Sequence, residues 1–344
     1  MVFVNARISL APLTGVNRYL AEVLAAWPGE PPSLLRPPEW AAQGVPAHLW
    51  EQLLLPRRVH GELLWSPVHS GPVAYAPQVV TVHDVVPLDH PEWLHPRFAR
   101  WYRWMLPRLL RRAERLITVS GFTRDRVIAT LGIDPDRIEV IPLGVASRFA
   151  PARPDAIANM RAALGLGEQR YVLSLGSLEP RKNLAGLLDA WQRALPQLPD
   201  DLQLAVAGAA GRSAVFGNGE PRAWPPRCRP LGRVDDALLP ALYSGAEWFV
   251  YLSHYEGFGL PPLEAMACGT PALLSDIEVF REISGDAAMR VAPDDPDAIV
   301  KALSRIAADA DLRDEHAERG RARAAQYCWQ ETASATAALL QRVG

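Results

Sequence analysis

Two carboxylates, Glu256 and Glu264, stand with seven residues between them in HYEGFGLPPLEAMACGTP (254–271). The intervening residues include Gly257, Gly259 and the pair Pro261 and Pro262. The stretch before them, EWFVYLS (247–253), is aromatic and β-branched and reads as a buried strand. Gly257 and Gly259 allow the backbone to come close to a ligand, because glycine has no Cβ. Pro261 and Pro262 suit the first turn of a helix, where a missing N–H does no harm. Glu264 to Cys268 continue that helix, Gly269 ends it, and TPALLS is the next strand. A loop of this kind aims unpaired N–H groups and a helix N-terminus at one point, which suits an anion such as a diphosphate. Phosphates would repel the two carboxylates, which instead suit sugar hydroxyls as hydrogen-bond acceptors. An anion site flanked by two polyol sites describes a nucleotide sugar. The same residues also fit an ordinary strand–helix corner carrying two solvated acids.

Further candidates lie where other strands end. GSLEPRKNLAGLL (176–188) follows a strand and opens a helix, so Arg181 and Lys182 sit beside a helix N-terminus with Asn183 as its expected cap. Lys182 and Lys301 are the only lysines beside 34 arginines. A lysine kept in so arginine-biased a chain suits a compact, mobile charge on a phosphate, or is a plain exposed lysine. His83 ends the run QVVTVHDVVPL next to Asp84. It either bonds its own strand's carbonyls or reaches a sugar at the floor of a cleft, and Asp84 either orients it or caps the turn before Pro87. Gly15, in LTGVNRY, would let backbone approach an anion. The pairs Asp134/Asp136, Asp295/Asp297 and Asp309/Asp311 have the spacing some sugar transferases use for a metal. Proline inside the first two and their place at helix starts make all three structural caps. No other set has metal-ligand spacing, and GxSxG, CxxC, a Walker loop and GxGxxG after the first strand are missing.

These residues need strands to carry them. VFVNARI, QVVTVHDVVPL, RLITVS and IEVIPLGV read as strands in the first half, alternating with helices at NRYLAEVLAAW and GFTRDRVIATLG. PGEPPSLLRPPEW is assigned only as loop. RYVLSLGS, LQLAVAGAAG, EWFVYLS and TPALLS repeat the pattern after ASRFAPARPDAI, so the domain boundary is placed near residue 150. Alternating strands and helices predict two α/β domains with parallel, doubly wound sheets, whose ligands sit outside the carboxyl ends of the strands. Two facing domains would gather His83, Gly15 and the 176–183 and 254–260 loops around one cleft. A last helix starts at Trp329.

The 344 residues are 49% hydrophobic with net charge −2, as expected for a globular soluble chain. No apolar run is long enough for a membrane span, and the first residues lack the pattern of a signal peptide. Cys228, Cys268 and Cys328 are scattered and odd in number, which fits a reducing cytoplasm and no zinc site. Residues 1–150 carry 16 Lys+Arg against 13 Asp+Glu, and the remainder 20 against 25. That mild basic excess does not point to nucleic acid but allows an anionic partner. In RFARWYRWMLPRLLRRAER (97–115), read as one helix kinked or split at Pro107, Arg97, Arg100, Arg108, Arg111 and Arg115 fall within roughly 80° on a wheel of about 100° per residue. Trp101 and Trp104 join them, as on an interfacial helix; a solvated arginine face reads the same way.

Taken in order, LTGVNRY, VVTVHDVVPL, ITVSGFTRDRV, GSLEPRKNL, EGFGLPPLEAMACGTP and SDIEVFREISGDAAMRVAPDDPDAI resemble the retaining glycosyltransferases of family 4 over nearly the whole chain, most of all bacterial mannosyltransferases of O-antigen and exopolysaccharide assembly. The resemblance implies a GT-B fold: an acceptor-side domain over 1–150, completed by a crossing helix at 329–344, and a nucleotide-sugar domain over 151–328. It implies that Glu264 holds the ribose, that Glu256 binds the transferred hexose, and that Gly257, Phe258, Gly259 and Leu260 reach sugar and diphosphate. Arg181 and Lys182 would neutralise the leaving diphosphate, Gly15 would offer its amide, His83 would contact the hexose, and backbone near Gly208 and the Gly232–Val234 segment would read the base. It implies transfer of a hexose with retention, with no metal and no cofactor. The expected donor is GDP-mannose, with a UDP-hexose as the alternative. The expected acceptor is a glycan or lipid-linked glycan at the inner face of the plasma membrane, with Arg97–Arg115 on anionic lipid. One departure concerns the glycine after the domain's first strand: some relatives follow it with arginine, and this chain has Ser177, which places more of the phosphate on Arg181. A nucleotide-sugar epimerase, a silent nucleotide-sugar-binding subunit and a dinucleotide oxidoreductase are the rival readings; the missing GxGxxG speaks against the last.

Overall fold

The computed structural model describes residues 1–7, 15–208 and 223–344. Residues 11–14 ahead of Gly15 and the end of LQLAVAGAAG (209–211) lie outside them. The chain forms two compact units: Met1–Pro91 with Pro96–Gly144 and Tyr327–Gly344, and Glu92–His95 with Val145–Gln326.

The first unit holds a parallel sheet of β1 (Val2–Asn5), β2 (Ser33–Leu35), β3 (Leu63–Ser66), β4 (Gln78–Val82), β5 (Arg115–Thr118) and β6 (Ile138–Val140). Their order is β2-β1-β3-β4-β5-β6, so the chain's direction of travel across the sheet reverses between β1 and β3. Every residue of β4 is buried, as a parallel strand covered on both faces requires. Sequence reading misses β2, a three-residue strand inside the proline-rich patch assigned as loop, and β3, whose LLWS run is too short to show a period. It also misses the helix over residues 44–59, which runs Gly44–Leu49, passes through a π-helical turn at Trp50–Leu54 and continues Leu55–Val59. The arginine-rich helix spans Pro96–Arg112 without stopping at Pro107. Arg115, counted on that helix's wheel and also read as the start of the RLITVS strand, is the first residue of β5, because Ala113 and Glu114 turn the chain into the sheet.

The Trp329–Val343 helix belongs to the first unit and packs on the Gly15–Ala25 helix. Thr332 Oγ1 donates to Pro142 O at 2.7 Å. A Cβ on Gly144 would lie 2.2 Å from Trp329 N, so the approach of the two segments depends on that glycine.

The second unit is built on β7 (Arg170–Leu175), β8 (Leu202–Ala207), β9 (Cys228–Gly232), β10 (Trp248–Tyr251), β11 (Ala272–Ser275) and β12 (Met289–Val291). The order β12-β11-β10-β7-β8-β9, all parallel, puts β7 beside β10 at the point where the winding reverses. Connections leave these two strands in opposite directions and open a crevice at their carboxyl ends. Trp191, Leu204, Trp248, Val250 and Leu303 form the core beneath it, with the Leu184–Ala194 helix packed on Pro296–Ala308. The aspartate pairs act as caps: Asp134, Asp295 and Asp309 accept from the amides of Asp136, Ala298 and Leu312.

Candidate active site

The crevice between β7 and β10 carries most of the chemical candidates. The loop after β7 turns through a 3-10 turn at Pro180–Lys182 into the Leu184–Ala194 helix, and the loop after β10 delivers Ser253 to Gly259. They meet on Glu256. Lys182 Nζ donates to Glu256 Oε1 at 2.5 Å, Arg181 Nη1 to Oε2 at 2.9 Å, and Ser253 Oγ to Oε1 at 2.8 Å. Arg181 Nε also donates to Glu179 Oε2 at 2.8 Å, and Lys182 Nζ to the Tyr251 hydroxyl at 2.5 Å. Glu179 and Glu256 are both buried, each 6% exposed. Two cations therefore face two anions in a low-dielectric crevice with every named group hydrogen-bonded. A small pocket beside them is lined by Gly176, Ser177, Lys182 and Tyr251.

Burial opposes ionisation of Glu256, but the charges of Lys182 and Arg181, with the hydrogen bonds from Lys182 and Ser253, outweigh it and hold the carboxyl at about 2. Burial and then the Arg181 charge draw the Lys182 ammonium below its ordinary range, against the pull of Glu256 and Glu179. The two cations are thus held by the two carboxylates. Glu179, Ser253 and Tyr251 are missed by sequence reading, although Glu179 stands in the quoted EPRKN. Ser177 donates to Glu179, which in turn braces Arg181. Asn183 does not cap its helix through its side chain; it sits in the left-handed region at φ 53° and its Nδ2 donates to Pro293 O at 3.0 Å.

Gly257, Phe258, Gly259 and Leu260 are all buried and lead into the Leu260–Ala267 helix. Gly259 has φ 110°, and a Cβ there would stand 2.7 Å from the Phe280 ring. Glu264 is 2% exposed and accepts from the Tyr243 hydroxyl at 3.1 Å. Val234 is half-buried just past β9, and Gly208 N donates to Gly232 O at 2.8 Å. A Cβ on Gly208 would meet Gly176 O at 1.8 Å, so the ends of β7 and β8 come together only around glycine.

Gly15 and His83 belong to the first unit. Gly15 opens the Gly15–Ala25 helix. His83 Nε2 donates to Pro67 O at 2.9 Å, a carbonyl just past β3 and not one of its own strand, which leaves Nδ1 as the ring's acceptor in the neutral form. Burial pushes its imidazole down to about 4, with the Pro67 bond and Asp84 opposing and His69 assisting. Asp84 Oδ1 accepts from Val86 N at 3.1 Å, so it caps the turn. At the first sheet's own reversal point, unread in the sequence, fully buried Glu51 accepts from Asn5 at 2.8 Å, Arg7 at 3.0 Å and Ser70 at 2.6 Å. Among the described residues no group of three or more His, Cys, Asp or Glu side chains could hold a metal ion.

Residues 157–323 match the family model "Glycosyl transferases group 1", and residues 14–148 match "Glycosyltransferase Family 4". O-antigen chain mannosyltransferase B of Escherichia coli is 34% identical over 280 residues, which cover 78% of this chain and 72% of that protein. The chain belongs to glycosyltransferase family 4. O-antigen chain mannosyltransferase RfbU of Salmonella typhimurium is 28% identical, with 67% of this chain and 60% of that one covered. The solved structure of Anabaena HepE in complex with UDP-glucose superposes with TM-score 0.77 at 18% identity, covering 99% of both chains, and shows the shared GT-B fold. This family 4 member is a glycosyltransferase, and its paired parallel sheets are the two Rossmann-like halves of that fold. Among its described residues no helix is long and apolar enough to cross a membrane.

Proposed function

We propose that this glycosyltransferase moves a mannose from GDP-mannose, with retention at the anomeric carbon, onto a glycan or lipid-linked glycan in cell-surface polysaccharide assembly. The observation that carries the reading is the Arg181–Lys182–Glu256 cluster at the reversal point of the second sheet. Two relatives named as O-antigen mannosyltransferases support the sugar and the pathway class.

In this reading Arg181 and Lys182 take up the charge that develops on the leaving diphosphate, together with the amides at the start of the Leu260–Ala267 helix. Both are held in the crevice by hydrogen bonds to Glu256, which the diphosphate takes over. Glu256, ionised at neutral pH, accepts from hexose hydroxyls as the diphosphate draws the two cations away. Glu264 holds the ribose, Phe258 to Leu260 and Val234 line the donor site, Gly15 offers its amide and His83 contacts the hexose. The acceptor hydroxyl attacks from the face the diphosphate leaves, and the departing phosphate helps remove its proton. In this reading no metal or cofactor takes part, and Arg181 and Lys182 supply the positive charge on the diphosphate. The enzyme works at the cytoplasmic face of the plasma membrane, with the arginines of the 97–115 stretch on anionic headgroups.

Calorimetric titration with GDP-mannose and UDP-glucose, with and without a chelator, on the native enzyme and Glu264→Ala, tests this. GDP-mannose binding that survives chelation and weakens at least about tenfold in the variant is the expected result. UDP-glucose binding alone overturns the donor, binding abolished by chelation overturns metal independence, and binding of neither donor overturns the reading in favour of another donor or a silent subunit.

A further inference from the structure

Seven large apolar side chains are exposed among the described residues, and apart from Met1 all lie on two neighbouring segments of the first unit: Trp40, Val45, Leu49, Leu53, Leu54 and Trp104. Val45, Leu49 and Leu53 are 71%, 53% and 56% exposed. Their four-residue spacing makes one stripe along the helix over 44–59, and its opposite face is already occupied, because Ala47, Trp50, Leu55 and Val59 are fully buried in the core. A surface helix normally turns polar residues outward. This one turns apolar side chains outward as far as Leu54, with exposed Arg57 and Arg58 only in its last turn, and its single carboxylate, Glu51, is buried against Arg7.

The stripe continues into the arginine-rich helix. The His48 ring lies 5.5 Å from that of Trp101, Trp101 stacks on Trp104 at 5.2 Å, and the Arg108 guanidinium sits 4.9 Å over Trp104. Arg57 Nη1 donates to Leu53 O at 2.9 Å, which keeps a second guanidinium at the edge of the stripe. Both segments carry further exposed arginines, among them Arg58, Arg103 and Arg111, with no acid between Glu51 and Glu62 or between Glu92 and Glu114. A two-fold pairing with a second copy would set these arginines against themselves. An apolar stripe with an aromatic margin and a cationic border instead matches lipid chains below anionic headgroups.

We propose that residues 44–54 and Trp104 insert into an anionic lipid surface, with the flanking arginines on the headgroups. This rests on the proposed membrane location but moves the anchoring element from the arginine helix to a segment that carries no exposed charge.

Flotation with phosphatidylcholine vesicles, with and without phosphatidylglycerol, tests it on the native chain, Leu49→Asp with Leu53→Asp, and Arg108→Glu with Arg111→Glu. Both pairs are exposed, and unchanged melting controls for folding. The native chain is expected to float with phosphatidylglycerol vesicles only. The aspartate pair is expected to lower partitioning about 100-fold and the glutamate pair at least about tenfold. Binding unchanged by the aspartates but reduced by the glutamates overturns the insertion and leaves a headgroup contact. Binding unchanged by both overturns this contact and leaves the membrane location to another surface, whereas no binding by the native chain overturns the membrane location as well. Self-association that the aspartates abolish, without vesicle binding, assigns the stripe to a second copy and also overturns the proposal.

Discussion

Glu256→Gln is the most informative single change, because the side chain keeps its shape and loses only its charge. The carboxyl is held at about 2 against an ordinary 4.5, which by proton linkage corresponds to about 3 kcal/mol of folding stability at neutral pH. Breaking a buried ion pair by removing one partner gives a loss of the same size, about 3–5 kcal/mol. Two features lower the expected loss. Arg181 keeps Glu179, and Lys182, already drawn below its usual range, can shed its proton. A loss of about 3 kcal/mol is therefore expected. The pH dependence is specific. A depressed carboxyl stabilises the fold fully above its unfolded value, and the benefit drains away as pH falls from about 4.5 toward 2. The difference between native chain and variant should shrink from about 3 kcal/mol at pH 7 to about 1.5 kcal/mol at pH 3. Urea unfolding followed by circular dichroism at both pH values measures it. A difference below about 1 kcal/mol at pH 7, or one that does not change with pH, would refute the claim that Lys182 and Arg181 hold this carboxylate ionised in a buried site.

Replacing Lys182 with Met should weaken donor binding and slow turnover by about 100-fold, while Lys182→Arg recovers only part of it because a planar fork does not fit beside Tyr251; donor titration and steady-state rates report both. His83 is neutral when folded and protonates once unfolded below pH 6.5, so the first unit should lose about 3 kcal/mol as pH falls from 6.5 to 4, and His83→Gln, which can still donate to Pro67 O, should flatten that decline in a pH series of melting curves. Gly259→Ala should destabilise by about 2 kcal/mol or more, since a Cβ would be forced into φ 110° and against Phe280; urea unfolding checks it, and a neutral result would mean the loop can relax.

Much of the second unit could be read directly from the chain. Each of the runs at 170–177, 247–253 and 270–275 is mostly apolar and long enough to be a strand, and each contains one. The proline-opened helix after Gly259 and the aspartate caps were equally local, because proline, glycine and aspartate act on the backbone within three or four residues of themselves. Short strands such as Ser33–Leu35 and Leu63–Ser66 were not readable, since their pairing energy comes from neighbours far away in the chain. Asn183 shows the same limit on a smaller scale: its type suits a cap, but Pro293, over a hundred positions on, takes its side chain.

Local spacing singled out Glu256 and Glu264 as acids and Arg181 and Lys182 as cations, because residue type and the turn between them are local properties. That Glu256 is the shared partner of both cations, and that Glu179 completes the charge balance, followed only when β7 and β10, more than seventy residues apart, became neighbours at the reversal of the sheet. Ion pairing depends on distance and dielectric, and both are set by which strands lie side by side. The apolar stripe at Val45, Leu49 and Leu53 is the converse case. Sequence reading misses its helix altogether, and only the filled core behind Trp50 and Leu55 shows that these side chains face outward.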